Sequence, residues 1–289
     1  MIGKIIKQIS NDYTVMADKM HICKARGKFR NMKISPLVGD NVVISDEDYI
    51  LEIIPRKNKL KRPPIANVDK AIIITSLRKP DFSSNLLDKL LTIIEFNDIK
   101  PVIIFTKQDL LTENEFQKLK PYIDYYKKIG YEVYMNNEID KIKKIFKDKI
   151  SVFTGQSGAG KSTLLNKLNK NLNLKTDEIS EALNRGKHTT RHTELLEIEG
   201  GLVADTPGFS AIDLNDMTKE DIKNNFIEFN KYQSECEFSD CSHTHERQCK
   251  VKEKVEDGTI IKSRYENYLK FISRWLHENC RLIFKNTKW

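Results

Sequence analysis

The run ISVFTGQSGAGKSTLLNKL, residues 150–168, constrains the fold more than any other part of the chain. An apolar strand leads into GxxxxGK[ST], which leads into a helix with leucines on one face, and that order is a phosphate loop in its structural context. Such a loop works only at the end of a strand in a largely parallel sheet, so an α/β domain is implied. Its backbone N–H groups, helped by the following helix N-terminus, can surround phosphate oxygens, because glycines remove the Cβ atoms that block close approach. The expected phosphate-binding residues are Gly155, Gln156, Ser157, Gly158, Ala159, Gly160, Lys161, Ser162 and Thr163. Lys161 is expected to neutralise the β and γ phosphates and Ser162 to ligate Mg²⁺.

The surrounding texture agrees. KAIIITSL, PVIIFTK and GLVADT read as further buried strands, and NLLDKLLTIIEF sets Leu86, Leu87, Leu90, Leu91 and Ile94 on one helical stripe. Ligands of open α/β sheets bind at the C-terminal ends of strands, and two more motifs start there. TKQD, Thr106 to Asp109, follows PVIIF. A carboxylate at Asp109 can accept from guanine N1–H and the exocyclic amino group together, which selects guanine, while Lys107 can lay its stem across the base. Thr106 stands where Asn is more usual, which shortens that reach toward the base. ADTPGF supplies Asp205, able to hold Mg²⁺ through a water, and Gly208, whose N–H can sense a γ-phosphate. Between phosphate loop and ADTPGF lies NRGKHTTRHT, in which Thr189 or Thr190 can reach Mg²⁺ as a switch residue.

The base reader therefore precedes the phosphate loop, the reverse of the ordinary GTPase order. Each motif is a loop at the same sheet edge, and cutting a fold at one exposed loop while joining its old ends leaves those loops in place. The expectation is a circular permutation. In that arrangement the segment after DTPGF runs directly into the C-terminal part, which offers one route for switch movement to leave the domain.

The flanks differ in character. Residues 1–62 show five short β-type runs separated by turn residues and carry 13 Lys and Arg against 7 Asp and Glu, so a small basic barrel suited to a polyanion such as RNA is expected. Its stretch KARGKFRNMK offers Phe29 either for stacking on a base or as a half-buried hairpin side chain. RKNKLKRPP, residues 56–64, reads as the boundary. Domains are expected at 1–62, 63–212 and 213–289. In the last, Cys236, Cys241, His243 and Cys249 form C-x₄-C-x-H-x₅-C, four ligands suited to a structural Zn²⁺, with His245 a rival to His243. Ile261, Tyr265, Tyr268, Leu269, Ile272, Trp275 and Leu276 recur at helical spacing with Lys262, Arg264, Lys270 and Arg274 among them, which reads as packing first and RNA contact by a basic face second. No apolar run is long enough to cross a bilayer and the N-terminal residues lack the pattern of a secretion signal, so a soluble cytoplasmic monomer is expected.

Taken together, TKQD, GQSGAGKST, GKHTT, DTPGF and CEFSDCSHTHERQC, in that order, resemble the circularly permuted GTPases of the RsgA (YjeQ) family over nearly the whole chain. The resemblance implies an N-terminal OB-fold, a permuted GTPase domain and a C-terminal helical zinc domain, with His243 rather than His245 as the fourth ligand. It also implies a small-subunit-dependent GTPase of late ribosomal maturation, binding GTP and GDP and contacting rRNA. Phe209 occupies the place where many GTPases orient water with a Gln, and phenylalanine can do no such thing. His188, in the position of a histidine in similar enzymes, is the expected catalytic residue. The competing readings are a P-loop ATPase and an RNA-binding assembly module with a vestigial switch.

Overall fold

The computed structural model describes residues 1–61, 64–169, 193–204 and 214–286. The five N-terminal β-type runs are five strands: β1 (Ile2–Ile9), β2 (Asp12–Met16), β3 (Met20–Ala25), β4 (Asn41–Ile44) and β5 (Tyr49–Ile53). They alternate buried and open positions, as strands closed around one core must. β1 pairs with both β2 and β4, which closes the barrel around Ile5, Val15, Cys23, Val42, Ile44 and Ile50. Phe29, on the one-turn helix α1 (Lys28–Asn31), is 5% exposed and belongs to this core, so its ring is not offered for stacking. The exposed pairing nearby is Arg26 over the ring of Tyr49, at 5.9 Å.

Two hairpin ends of the barrel are held by one imidazole. His21 Nε2 lies 2.9 Å from Asp18 and Nδ1 lies 2.8 Å from Asp48. The hydrogen bond to Asp18, then that to Asp48, raises the His21 pKa above its ordinary value of 6.5. A raised folded value means that the protonated clamp contributes fully below about pH 6.5 and is lost as pH rises through the higher folded value. Thermal melts of a His21→Gln variant should therefore fall further below the parent at pH 6 than at pH 8; an equal deficit at both would show that the charge has no part in it.

After a short hairpin, β6 (Lys59–Lys61) with β7 (Pro64–Ala66), the chain enters the α/β domain. Its strands are β8 (Lys70–Ser76), β9 (Lys100–Thr106), β10 (Glu132–Met135), β11 (Ile150–Gly155), β12 (Thr193–Ile198) and β13 (Gly201–Ala204), in the spatial order β10-β9-β8-β11-β13-β12. All pairings are parallel except that of β12 with β13. Near-continuous burial of β8, β9 and β11 is what a sheet covered on both faces requires. Helices α2 (Ser84–Phe96), α3 (Glu113–Ile129), α4 (Ile139–Lys144) and α5 (Lys161–Leu168) supply the cover. The leucine stripes pack as their spacing predicts: Leu87, Leu90, Leu91 and Ile94 of α2 are buried, and Leu164 and Leu168 of α5 likewise, each stabilising by about 1.5–3 kcal/mol.

The chain runs outward from β8 to β10 in one direction and from β11 to β13 in the other. The change of direction between β8 and β11 is a topological switch point, the place where open α/β sheets bind their ligands. At the far edge β12 pairs antiparallel with β1, Lys7 opposite Glu194 and Gln8 opposite Thr193, so barrel and α/β sheet share one eleven-stranded sheet. The C-terminal part consists of short turns and the helices α6 (Lys219–Asn224), α7 (Lys250–Glu256) and α8 (Lys262–Asn286). Among the described residues no helix is long and apolar enough to cross a membrane.

Candidate nucleotide site and metal cluster

At the switch point β11 ends in Gly155 with φ 131°, and a Cβ there would stand 2.1 Å from the Ile74 carbonyl oxygen of β8. Only glycine lets the phosphate loop leave the sheet this close to its neighbour. The loop then turns through Gly158 and Gly160, also at positive φ, before α5 begins at Lys161. Lys161 folds back, donating to the carbonyls of Gly155 (2.9 Å) and Gln156 (3.0 Å). Burial lowers its pKa, so its ammonium has little water and stands to gain from an anionic ligand. Ser162 is buried on the first turn of α5, whose first N–H groups have no partner within the helix.

The base loop meets this phosphate loop directly. Thr106 closes β9, is 2% exposed, and donates its hydroxyl to the Ala159 carbonyl at 2.6 Å. Its side chain thus ties one loop to the other, a different task from the shortened base contact that its type suggests in sequence. Lys107 follows with φ 61° and donates its ammonium to the Lys79 carbonyl. A single helical turn, Gln108–Leu110, then leaves Asp109 exposed. Replacing Thr106 with Val would orphan the buried Ala159 carbonyl at a cost of about 1–3 kcal/mol, visible as a lowered Tm. A melt identical to the parent's would show that the tie is idle.

Two neighbours flank the base loop. The loop after β8, with Arg78 bonded to Glu115 at 2.6 Å and Lys79 accepting from Lys107, buttresses the base loop. The stretch after β10 sits beside it, with Asn136 N–H donating to the Phe105 carbonyl at 2.9 Å. Sequence reading offers YEVYMNN, near Met135 to Asn137, only as a poor candidate for a second base loop and misses the loop after β8; counting strand ends finds it, since β8 and β10 flank β9. Of the remaining expected site residues, His188, Thr189, Thr190, Asp205 and Gly208 lie outside the described residues.

In the C-terminal part the ligand atoms of Cys236, Cys241, His243 and Cys249 all lie within 4.8 Å of one another. His243 Nδ1 is 3.3 Å from Cys249 Sγ and 3.7 Å from Cys236 Sγ, and those two sulfurs are 4.0 Å apart. Tetrahedral coordination with metal–sulfur bonds of about 2.3 Å needs sulfur spacings near these. His245 is exposed and outside the cluster. Burial pushes the Cys241 thiol up to about 12 and drops His243 to about 4, so the imidazole offers a lone pair and the thiols await a cation to ionise them. The ligand loop is braced from outside: Tyr265 and Tyr268 of α8 donate to the carbonyls of His243 (2.7 Å) and Ser242 (2.6 Å). The Glu246 carboxylate gathers the N–H groups of Ser242, Thr244 and His245.

The same helix bears out packing over a basic face at one of its arginines. Arg264, named in sequence among the basic residues of a helix read first as packing, is fully buried; it donates to Asp88 of α2 at 2.8 Å and to Glu228 at 2.7 Å, with the Phe226 ring 4.4 Å away. Tyr126 and Asn267 add bonds to Asp88, and Tyr125 one to Glu228. Burial works against the charge, yet Glu228 and Asp88 hold the guanidinium well above its ordinary value.

A phosphate loop and a base loop joined at the switch point of a parallel sheet, with the base loop earlier in the chain, define a circularly permuted P-loop protein, here carrying an N-terminal barrel and a Cys₃His domain. The RsgA GTPase pattern matches residues 53–215, and the RsgA N-terminal domain pattern residues 2–50. The chain is 48% identical to a protein of Enterococcus faecalis named small ribosomal subunit biogenesis GTPase RsgA, over 98% of this chain and 97% of that one. It is 45% identical to the protein of the same name from Latilactobacillus sakei, over 99% of each. Among solved structures, YloQ, described as a circularly permuted GTPase, is 39% identical with a TM-score of 0.82, covering 96% of this chain and 95% of that one. YjeQ from Thermotoga maritima is 37% identical with a TM-score of 0.83, covering 95% and 98%. The chain belongs to the RsgA family of GTPases.

Proposed function

We propose that this chain hydrolyses GTP, binds the small ribosomal subunit and assists its late maturation, with the subunit stimulating turnover. The observation that best supports the GTP reading is the Thr106–Ala159 bond, which ties the end of β9, where the TKQD loop starts, to the loop that carries Lys161. Asp109 reads guanine through two N–H groups, and Lys107 covers the base. Gly155 to Thr163 hold the phosphates. Ser162, with Asp205 and with Thr189 or Thr190, would hold Mg²⁺, which would supply charge neutralisation at the β and γ phosphates, while the Gly208 N–H would sense the γ-phosphate. Cys236, Cys241, His243 and Cys249 would hold Zn²⁺, which would supply a structural crosslink. The barrel of residues 1–62 takes the rRNA contact, residues 63–212 the nucleotide, and residues 213–289 the zinc. Relatives named as small ribosomal subunit biogenesis GTPases support the assignment of the partner.

With Phe209 unable to orient water, the free chain turns over slowly and His188 accepts the proton of the attacking water once the subunit is bound. Turnover of GTP and ATP, each with and without purified small subunits, tests the whole reading: GTP should be preferred and only GTP turnover stimulated. His188→Ala should lose the stimulated rate by about 10²–10⁴-fold, the range of general base catalysis, with GTP binding retained. Equal use of ATP would instead favour an ATPase, and stimulated turnover surviving in His188→Ala would remove His188 from the mechanism.

A further inference from the structure

The two appended domains are fastened to the nucleotide domain in opposite ways. The C-terminal domain is bolted to α2 and α3, behind the base loop, through the fully buried Arg264 with Asp88 and Glu228 and the hydroxyls of Tyr125 and Tyr126. The barrel meets the sheet edge more lightly. Its sheet contact there is the pairing of Lys7 with Glu194 and Gln8 with Thr193, and the Lys7–Glu194 ion pair, at 2.9 Å, has side chains 33% and 40% exposed. An ion pair so open to water contributes at most about 1 kcal/mol.

Position matters as much as strength. β12 and β13 form one hairpin, with Leu195 opposite Ala204. In the chain, β12 continues directly from the segment that holds His188, Thr189 and Thr190, and β13 runs directly into Asp205 and Gly208. The barrel pairs at Thr193 and Glu194, the end of the hairpin nearest both segments. A second tie, the Asn67 side-chain amide donating to the Gly39 carbonyl at 3.0 Å beside the Val38–Ile65 bridge, lies where the linker leaves the barrel. An open edge contact at one end and a packed junction at the other, where Val38, Ile65 and Ala66 are buried and the Ala66 N–H donates to the Val38 carbonyl at 2.9 Å, make a latch and a pivot.

We infer that the barrel, and not the zinc domain, is the part that changes position with the bound nucleotide, through the β12–β13 hairpin. The inference rests on the proposed GTP site. By linkage, a polyanion that prefers one barrel position changes the affinity for GTP over GDP by the same factor. The route differs from that suggested by chain order alone, in which DTPGF would drive the C-terminal part; the Arg264 cluster holds that part to α2.

The test uses the full zinc-loaded chain with fluorophores on unnatural side chains. One pair joins Met20 on the barrel (58% exposed) to Lys118 on α3, and the other joins Phe238 in the ligand loop (50% exposed) to Lys118. Energy transfer is read with GDP and with a nonhydrolysable GTP analogue, while binding of each nucleotide is measured in the same samples. The expected result is a nucleotide-dependent shift for the barrel pair and none for the zinc-domain pair. Glu194→Lys should lose that shift, and adding Lys7→Glu should restore it. Bound GTP with an unchanged barrel distance, or equal shifts in both pairs, overturns the inference alone. Failure to bind GTP at all brings down the proposed function and the inference with it.

Discussion

An Arg264→Met variant is expected to lose about 3–5 kcal/mol of stability, the usual result of leaving buried charges without their partner. The geometry supports the upper part of that range, because Asp88 and Glu228 are both buried and both depend on the same guanidinium. In a chain of this size the loss corresponds to a fall in Tm on the order of 10 °C. Neutralising the stranded acids with Asp88→Asn and Glu228→Gln in the same chain should recover part of it, because the deficit is chiefly the cost of unpaired carboxylates rather than of lost attraction. A variant that melts with the parent would mean that the C-terminal domain is not anchored through Arg264.

Removing the metal should have the second large effect. Cys249→Ser, or prolonged chelation of the native chain, is expected to lose helical signal from α6 to α8 and to expose Phe226 and Phe229, read by circular dichroism and by dye binding. Those rings pack on one another and on Tyr268 at 5.1–5.2 Å, and Tyr268 is in turn bonded to Ser242 beside the ligand loop. A domain this small, with its core laid against the metal cluster, has little apolar area with which to fold unaided. Metal analysis should return one zinc per chain in the parent. No bound metal, or unchanged helicity after chelation, would contradict the assignment.

What could be read in advance follows from the range of the interactions. The phosphate loop, the leucine stripes of α2 and α5, the five barrel strands and the Cys/His spacing are local patterns, written within one or two elements. Arg264 carries no such mark: it lies among Lys262, Lys270 and Arg274 at helical spacing, and its burial depends on Asp88, 176 positions away. Asp88 itself interrupts a leucine stripe and gave no warning of a partner. Thr106 is a similar case, since its departure from Asn is plain in sequence but its acceptor, the Ala159 carbonyl, is set by how close two parallel strand ends stand. The pairing of β1 with β12 joins segments too distant for any periodicity to connect.

That last pairing bears on how the molecule is made. A chain emerging from its N-terminus can close the seam between β1 and β4 as soon as those strands exist, whereas Thr193 and Glu194 arrive only after most of the second domain has been synthesised. Contacts so remote in sequence form late, and domains of a growing chain fold as units in order. The two bodies therefore come together as finished surfaces, and until they do, the end of β1 at Lys7 and Gln8, past the residues paired with β4, is a strand edge awaiting a neighbour, the kind of edge that invites mispairing with another nascent copy.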